Sequence, residues 1–525
     1  MGYYSNEPKY GPIDLLGACI IVHNYEPGMC ERVERMYSVY NRTKHRYVPM
    51  GIYYDAEHKD LYLPGGTELG NIITTFRPGL VRRIPPDGYK HIGKVNCRIK
   101  PRDSRQLESL KYMCGIAPYE SNRNRSQIAL NLNTGVGKTA VAVLTFAFYG
   151  IRTIMITAST SWLEQWSERL QEYTDLKPSE IYTISGTAGI VKLFNGMKDT
   201  ENIKFLLCTY STLQSYAKKH GWGSIRKLFM ELQIGITLVD EAHLYFEALT
   251  KLSCHMNCLK TYYLTATPMK SDFYENKIYQ RAFETVPKLS LFDEDNDPHA
   301  KVLMIKFNSH PGPFEKEAIS SGNYGFNVLK YVDYFMKTPI YYPLLHITLY
   351  HCLSEMGPED RVLIYHATNS AVMQSYRWIK YHYGQHSIGI YTSLVPKEIK
   401  HDQLKCKIIL STTKSAQALL DIPNLKKIIV FAEPYNSAPI TRQVLGRLRD
   451  DDTELIELVE MGFMRLFQWA KNRQKIYQKY AKEVNELQLT EADINDSVLQ
   501  INRAERQELE NRIIGLPLPV EYVNK

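Results

Sequence analysis

The chain has 525 residues, of which 44% are hydrophobic and 23% charged, with a formal charge of +8. That length holds roughly three or four domains, and the composition excludes a disordered chain. A charge of +8 is too modest to argue for a nucleic-acid partner by itself, so its local distribution has to decide. The nine cysteines form no regular array. Cys254, His255 and Cys258 make the only tight cluster, and a zinc site would need two more ligands at matching spacing. The scattered set fits a reducing compartment. The first residues lack a basic start ahead of an apolar stretch, and Asn6 stands where a myristoylation pattern needs Ser or Thr. The apolar run Leu15–Val22 is too short for a bilayer. The expectation is a soluble intracellular, cytoplasmic protein with no membrane partner.

Residues 1–98 read as a small mixed, β-rich accessory domain. Apolar segments Ala18–Val22, Arg46–Tyr53 and Leu61–Leu63 are separated by turns at Glu26-Pro27-Gly28, Pro64-Gly65-Gly66 and Pro85-Pro86-Asp87-Gly88. Its last stretch is basic: Arg82, Arg83, Lys90, Lys94, Arg98, Lys100 and Arg102 face only Asp87. It reads equally as a solvated linker or as a phosphate-contacting surface. Over 99–290 apolar strands are expected at Ile128–Leu132, Thr153–Thr157, Phe205–Thr209, Ile236–Val239 and Tyr262–Thr265, with helices such as Lys138–Phe148 and Ser161–Tyr173 between them. Such alternation predicts a parallel sheet covered on both faces. An acidic linker spans 291–300.

A second alternation runs over 301–475, with strands at Val302–Phe307, Arg361–Tyr365, Ser387–Tyr391, Lys407–Ser411, Lys427–Phe431 and Leu455–Val459. The helix that follows carries Phe463, Leu466, Phe467, Ala470, Tyr477, Ala481 and Val484 at helical spacing. Arg465, Lys471, Arg473, Lys475, Lys479 and Lys482 are assigned to its other face. Residues 476–525 are expected to form a C-terminal helical extension, entered beyond Thr490 by a cap-like Thr490–Asp493 pair.

Asn133-Thr134-Gly135-Val136-Gly137-Lys138-Thr139 lies between an expected strand and an expected helix. The glycines let the backbone wrap phosphates with N–H groups pointing inward at a helix N-terminus. Lys138 then reaches the β- and γ-phosphates and Thr139 offers a hydroxyl to magnesium. Asp240-Glu241-Ala242-His243 follows the buried-strand signature Thr237-Leu238-Val239, so the acids emerge at the carboxyl end, where α/β sheets bind ligands. Asp240 can hold magnesium and Glu241 can orient and deprotonate the attacking water. Gln443-Val444-Leu445-Gly446-Arg447-Leu448-Arg449 supplies positive charge for the transition state.

These motifs make the chain look like a superfamily 2 helicase, with the similarity running from about 100 to 480. Asn133–Thr139 resembles motif I, Asp240–His243 motif II, Thr265-Ala266-Thr267-Pro268 motif III and Gln443–Arg449 motif VI. Ala158–Trp166 is similar to motif Ia, with Ala158 in place of the usual proline; Val362–Thr368 is similar to motif IV. Ser411 through Asp421 is similar to motif V, with Gln417 and Ala418 where a glycine is usual. Leu132 replaces the strict loop's opening glycine, and the second arginine of motif VI, Arg449, comes one position before the expected place, Asp450.

The resemblance implies an α/β fold of two tandem RecA-like lobes, with ATP and Mg2+ as cofactors. It makes Gln106 the adenine reader, with Thr134, Gly135, Val136, Gly137, Lys138, Thr139, Asp240 and Glu241 around the nucleotide. Arg447 and Arg449 join Lys138 and Glu241 in catalysis. His243, Thr265, Ala266, Thr267, Asp421 and Gln443 would couple hydrolysis to movement. Ser159, Ser161, Thr209, Ser211, Thr368 and Thr412 would grip a nucleic-acid backbone, although each suits a helix cap or turn equally well. Trp162 and Trp166 share one inward helix face and are assigned to the core.

The layout, with Leu61-Tyr62-Leu63-Pro64-Gly65-Gly66 ahead of the motor and a basic helix after motif VI, resembles the recombination and branch-migration helicases of tailed phages and related DNA translocases. It favours DNA, branched or single-stranded, over RNA, and allows a nucleoid or viral replication site. A transcription-associated translocase or an RNA helicase remains the alternative. A restriction motor subunit would need a nuclease partner, since the chain shows no nuclease carboxylate cluster. A scaffold without productive hydrolysis would have lost Lys138, Glu241 or Arg447, and all three are present.

Overall fold

The computed structural model describes residues 11–41, 45–132, 137–195, 200–242, 246–265, 273–291, 300–320, 326–400, 402–413, 422–432, 435–448 and 452–495. They form two compact units, Met1–Glu294 and Asp295–Lys525.

The first unit opens with seven short strands: β1 (Ile13–Leu15), β2 (Cys19–Val22), β3 (Ser38–Asn41), β4 (Arg46–Pro49), β5 (Tyr53–Asp55), β6 (Asp60–Pro64) and β7 (Val81–Arg83). Five of them make a mixed sheet in the order β5-β6-β2-β1-β7, while β3 and β4 form a separate two-stranded ribbon. The expected single segment Arg46–Tyr53 is therefore broken. The break is Gly51, at φ +83°, where an added Cβ would meet Phe246 and Ile278 at 3.4 Å. That left-handed backbone favours glycine, since a residue with a Cβ would be strained there.

Lobe one follows, with β8 (Gln127–Leu132), β9 (Thr153–Thr157), β10 (Ile181–Thr183), β11 (Phe205–Thr209), β12 (Ile236–Asp240), β13 (Lys260–Thr265) and β14 (Lys288–Leu291). They pair as β10-β11-β9-β12-β13-β8-β14, parallel throughout. Strands β10 and β14 are too short and polar to show in the sequence pattern; they sit at the two edges, where burial is least demanding.

The amino-terminal sheet shares its core with this lobe: Ile20, Val22, Leu61 and Phe76 pack in one cluster with Phe246, Ile278, Tyr279 and Phe283. Pro64-Gly65-Gly66 is the contact. A Cβ on Gly65 would stand 2.6 Å from the Ala18 carbonyl carbon, and one on Gly66 would stand 3.1 Å from Phe283 Cα. Gly66 O accepts the Thr285 N–H at 2.9 Å. Elsewhere Asn257 Nδ2 donates to Pro85 O at 2.7 Å, and Arg226 pairs with Asp87 at 3.0 Å.

The basic stretch that closes this region is partly used internally. Arg82 makes two bonds to Asp14, at 2.6 and 2.8 Å, Lys90 pairs with Glu201, and Arg98 donates to Gln171 O. Lys94, Lys100 and Arg102 are exposed.

The second unit contains β15 (Ala300–Phe307), β16 (Arg361–His366), β17 (Ile388–Tyr391), β18 (Ile408–Thr412), β19 (Leu425–Ala432), β20 (Thr453–Glu460) and β21 (Glu483–Gln488). The order is β17-β18-β16-β19-β20-β15-β21, again all parallel. Two such sheets with flanking helices are the tandem RecA-like architecture expected. Strand β21 was not expected. The helix that seemed to continue through Val484 ends at Tyr480, and Val484 instead pairs beside Val302. Helical spacing continued past the helix end because β21 also needs an apolar residue facing the core. Thr490 and Asp493 do form reciprocal cap bonds, 2.7 and 3.2 Å, into the short helix Glu491–Asn495.

Arg473 corrects the reading of the basic helix face. It is buried at 5% exposure, bonds Glu457 through Nε at 2.9 Å and donates to Tyr435 O, while Tyr477 donates to the other Glu457 oxygen at 2.6 Å. Arg465, Lys471, Lys475, Lys479 and Lys482 are exposed. Because Glu457 is fully buried, removing its arginine strands a charge. Arg473→Ala should destabilise the protein by about 3–5 kcal/mol, and Glu457→Leu combined with Arg473→Met should recover most of the loss. Denaturant unfolding of both variants checks this.

Candidate nucleotide site and strand-end track

Lobe one gathers its chemistry at the carboxyl edge of the sheet. Strand β8 ends at Leu132, and residues 133–136, which include Asn133, Thr134, Gly135 and Val136, lie outside the described residues. The chain resumes at Gly137, left-handed at φ +95°, and helix Lys138–Tyr149 begins at once. The residue that must be glycine for conformational reasons thus sits where the helix presents its free N–H groups. Lys138 is 7% exposed, and its Nζ lies 3.5 Å from Leu132 O and 3.4 Å from Glu241 Oε1. The neighbouring Thr139 is half-buried on the same first turn.

Asp240 closes β12 between β9 and β13, and both it and Glu241 are buried. Glu241 takes a left-handed backbone, φ +48°. That conformation costs a non-glycine residue of order 1–3 kcal/mol, and it turns the carboxylate back to Lys138. Asp240 Oδ1 accepts the Glu241 N–H at 3.0 Å, and Oδ2 accepts Trp166 Nε1–H at 3.1 Å. Burial, then the adjacent Glu241 charge, push the Asp240 carboxyl up to about 6, against the pull of Lys138 and Trp166. Two buried carboxylates with one lysine leave a site that favours a further cation. The donor set therefore fits magnesium on Asp240 and Thr139, with ATP phosphates on Lys138 and the helix N-terminus. Magnesium would supply charge neutralisation at the phosphates, and a carboxylate such as Glu241 can accept a proton from water.

Gln106 is buried, and its Nε2 lies directly over Gly137. Its Oε1 accepts the Arg102 N–H at 2.8 Å, and its own N–H is capped by Asp103 at 2.9 Å. The structure thus places Gln106 against the phosphate loop.

The proposed track residues also collect at strand ends. Thr157 and Thr209 are partners in register on β9 and β11, and His366 and Thr412 are partners on β16 and β18. Ser159 is the N-cap residue of helix Thr160–Tyr173, and its carbonyl accepts the Thr157 hydroxyl at 3.1 Å. Ser161 lies in that helix's first turn. Thr209 caps the next helix by accepting the Thr212 N–H at 3.2 Å and lies 3.0 Å from the exposed Ser211 hydroxyl. Thr368 caps helix Asn369–His382 through the Ala371 N–H at 3.1 Å. Thr412 is buried. Thr209 and Thr368 therefore serve as caps in this structure, whatever else they contact.

Thr265 ends β13 opposite Asn131, and Gln443 is half-buried on helix Ala438–Leu445, two residues before the turn that carries Arg447. His243, Ala266, Thr267, Asp421 and Arg449 lie outside the described residues.

Sequence reasoning missed the second role of Trp166. It is core as expected, 2% exposed, but its indole N–H holds Asp240. The available signal was chemical: a buried tryptophan N–H needs an acceptor. His366, at the end of the motif IV strand, was also passed over. Its ring is fully buried beside Phe431, and burial lowers it to about 3, so it is neutral.

The cysteine cluster disperses. His255 packs among Tyr53, Tyr62 and Trp222, burial lowers it to about 4, and Cys258 Sγ meets Thr237 at 3.3 Å. Among the described residues, His351, Glu355 and Glu454 are grouped closely enough to hold a metal. There the Lys427 ammonium already occupies the cation's place, 2.9 Å from Glu454.

The fold is thus two parallel RecA-like sheets, the first with a lysine and paired acids at its carboxyl edge. Residues 98–270 match the family described as "Type III restriction enzyme, res subunit". No curated protein matches the chain. Among solved structures, Mss116p bound to ssRNA and AMP-PNP is similar at 13% identity and TM-score 0.50, covering 79% of this chain and 83% of its own. Dbp5 of S. cerevisiae, bound to RNA and ADP BeF3, is 14% identical with TM-score 0.47, covering 78% and 93%. T4 UvsW is 12% identical with TM-score 0.34, covering 91% and 99%.

Because burial and Glu241 raise the Asp240 carboxyl from its ordinary 3.8 to about 6, stability is lost progressively as pH rises from about 3.8 to about 6, and the full cost is present above that. Asp240→Asn should therefore abolish hydrolysis yet raise the metal-free melting temperature at pH 7.5 by about 2 °C or more. The gain should shrink toward pH 5, where Asp240 is protonated. Thermal scans in EDTA at both pH values measure it.

Proposed function

We propose that this protein is an ATP-driven DNA translocase, coupling hydrolysis at the Lys138–Asp240–Glu241 site to movement along a strand. The observation that carries the reading is that constellation itself: a lysine at a helix N-terminus 3.4 Å from a carboxylate that follows the buried, elevated Asp240. Strand-end hydroxyls on both units support it, because phosphate contacts of that kind hold a backbone without selecting bases. DNA is favoured over RNA by the sequence layout, with its accessory region before the motor and an exposed basic helix face after it. Branched DNA is the proposed preferred form. The internal pairing of Arg82 and Lys90 and the burial of Arg473 leave that preference to Arg83, Lys94, Lys100, the four exposed cations of the late helix and Lys482 just beyond it.

The deciding experiment measures ATPase with single-stranded, duplex, forked and four-way DNA and with RNA. Forked or four-way DNA should stimulate most; equal or greater stimulation by RNA would overturn the DNA assignment. Charge reversal of Lys471 and Lys475, leaving Arg473 intact, should weaken fork binding at low salt.

The catalytic roles have distinct signatures. Lys138→Ala should abolish turnover, whereas Glu241→Gln should retain bound ATP while losing hydrolysis. Arg447 is proposed as the main transition-state arginine, so Arg447→Ala should slow single-turnover hydrolysis on the order of a thousandfold. Arg449→Ala should be milder; the reverse ranking would show that the register of motif VI is shifted.

A further inference from the structure

The β3–β4 ribbon stands outside the five-stranded sheet and carries a feature the motor does not explain. In register, Val39 pairs with Val48 and Tyr40 with Tyr47. The valines lie on one face, half-buried, with Val39 packed on the core. Alternation then sends positions 40 and 47 outward, where polar residues are the rule. Both are tyrosines, 48% and 61% exposed, with ring centroids 5.4 Å apart at 68°. An edge-to-face pair of this kind helps hold a ribbon together. It does not account for rings left this open to solvent.

Charge adds a second, independent signal. The stretch from Ser38 to Pro49 contains Arg42, Lys44 and Arg46 and no acidic residue. Residues 42–44 lie outside the described residues, and His45 and Arg46 beside them are exposed. Open aromatic faces on a ribbon whose own residues are basic and include no carboxylate are complementary to unpaired nucleobases on a phosphate backbone.

The ribbon is also tied to the motor. Arg281, on helix Phe273–Ala282, donates to Met36 O at 2.7 Å just before β3. Just after β4, Gly51 rests on Phe246 and Ile278. Those two side chains belong to the helices that follow β12 and β13, whose ends carry Asp240 and Thr265.

We propose that the β3–β4 ribbon is a nucleobase-stacking element, with Tyr40 and Tyr47 receiving unpaired bases and Arg46 holding the adjoining phosphate. This rests on the nucleic-acid motor reading above. Its occupant is a single-stranded segment, since paired bases present no free face to a tyrosine.

The test uses the full chain and a fluorescein-labelled oligothymidine. Tyr40→Ala with Tyr47→Ala should weaken binding about tenfold or more. Tyr40→Phe with Tyr47→Phe should bind as the parent does, and nucleic-acid-independent ATPase should be unchanged in both. Photocrosslinking the parent protein to 5-iododeoxyuridine oligonucleotide, read by mass spectrometry, should label Tyr40 or Tyr47. This second measurement needs no variant and so does not depend on how a variant folds. Parent-like binding by the double alanine variant, or crosslinks confined to other segments, would overturn the stacking role while leaving the motor reading intact. No oligonucleotide binding by the parent would overturn both.

Discussion

Two carboxylates side by side at the end of a dry strand are an unstable arrangement, and lobe one is organised around holding them there. Asp240 and Glu241 are each almost fully buried, and burial together with the Glu241 charge favours protonation of Asp240. What keeps them ionisable is a short list of fixed partners. The Lys138 ammonium comes from the neighbouring helix start, the Trp166 indole from the next helix, and the Glu241 N–H is turned inward by a left-handed backbone. Each partner depends on a different strand of the parallel sheet for its position. The strand order places β9, β12, β13 and β8 side by side, so the helix starts that follow β8 and β9 flank the end of β12. A site built this way is poised for a divalent cation, and its folded state carries the cost until one arrives.

The same logic of fixed ends explains why the strand-end hydroxyls are hard to classify. A threonine that ends a strand and starts a helix has a helix N–H to satisfy, and Thr209 and Thr368 do so here. Capping fixes the local backbone, and a fixed backbone at the carboxyl edge is also what a phosphate contact requires. Structural and functional readings of these residues therefore need not compete. Ser211, held beside Thr209, is exposed, whereas Thr209 and Thr412 are buried.

The amino-terminal region is attached to lobe one by packing. Its glycine turn meets backbone at Phe283, and its apolar residues share one core with helices that follow the nucleotide-binding strands. In the second unit a comparable economy places Arg473 under Tyr435, in the loop before the motif VI helix, and Arg442 over the ring of Tyr480, 4.6 Å away. The long late helix thus braces the segment that carries Arg447.

The sequence by itself determined the two alternating α/β lobes, because buried parallel strands must be continuous apolar runs and their glycine and acid punctuation is local. It also located Gly137, Lys138, Asp240 and Glu241 at strand-to-helix junctions, which sequence pattern can find. Tertiary structure alone decided what depended on neighbours distant in the chain. It assigned Trp166 to Asp240, which periodicity could only call buried. It moved Arg473 from an expected basic face to a buried pair with Glu457, because a cation's partner on another strand leaves no trace at helical spacing. It ended the late helix at Tyr480 and turned the next residues into β21, since an edge strand is set by the partner it finds. It also separated β3–β4 from the sheet beside it, where a single left-handed Gly51 against Phe246 redirected what the sequence presents as one continuous strand.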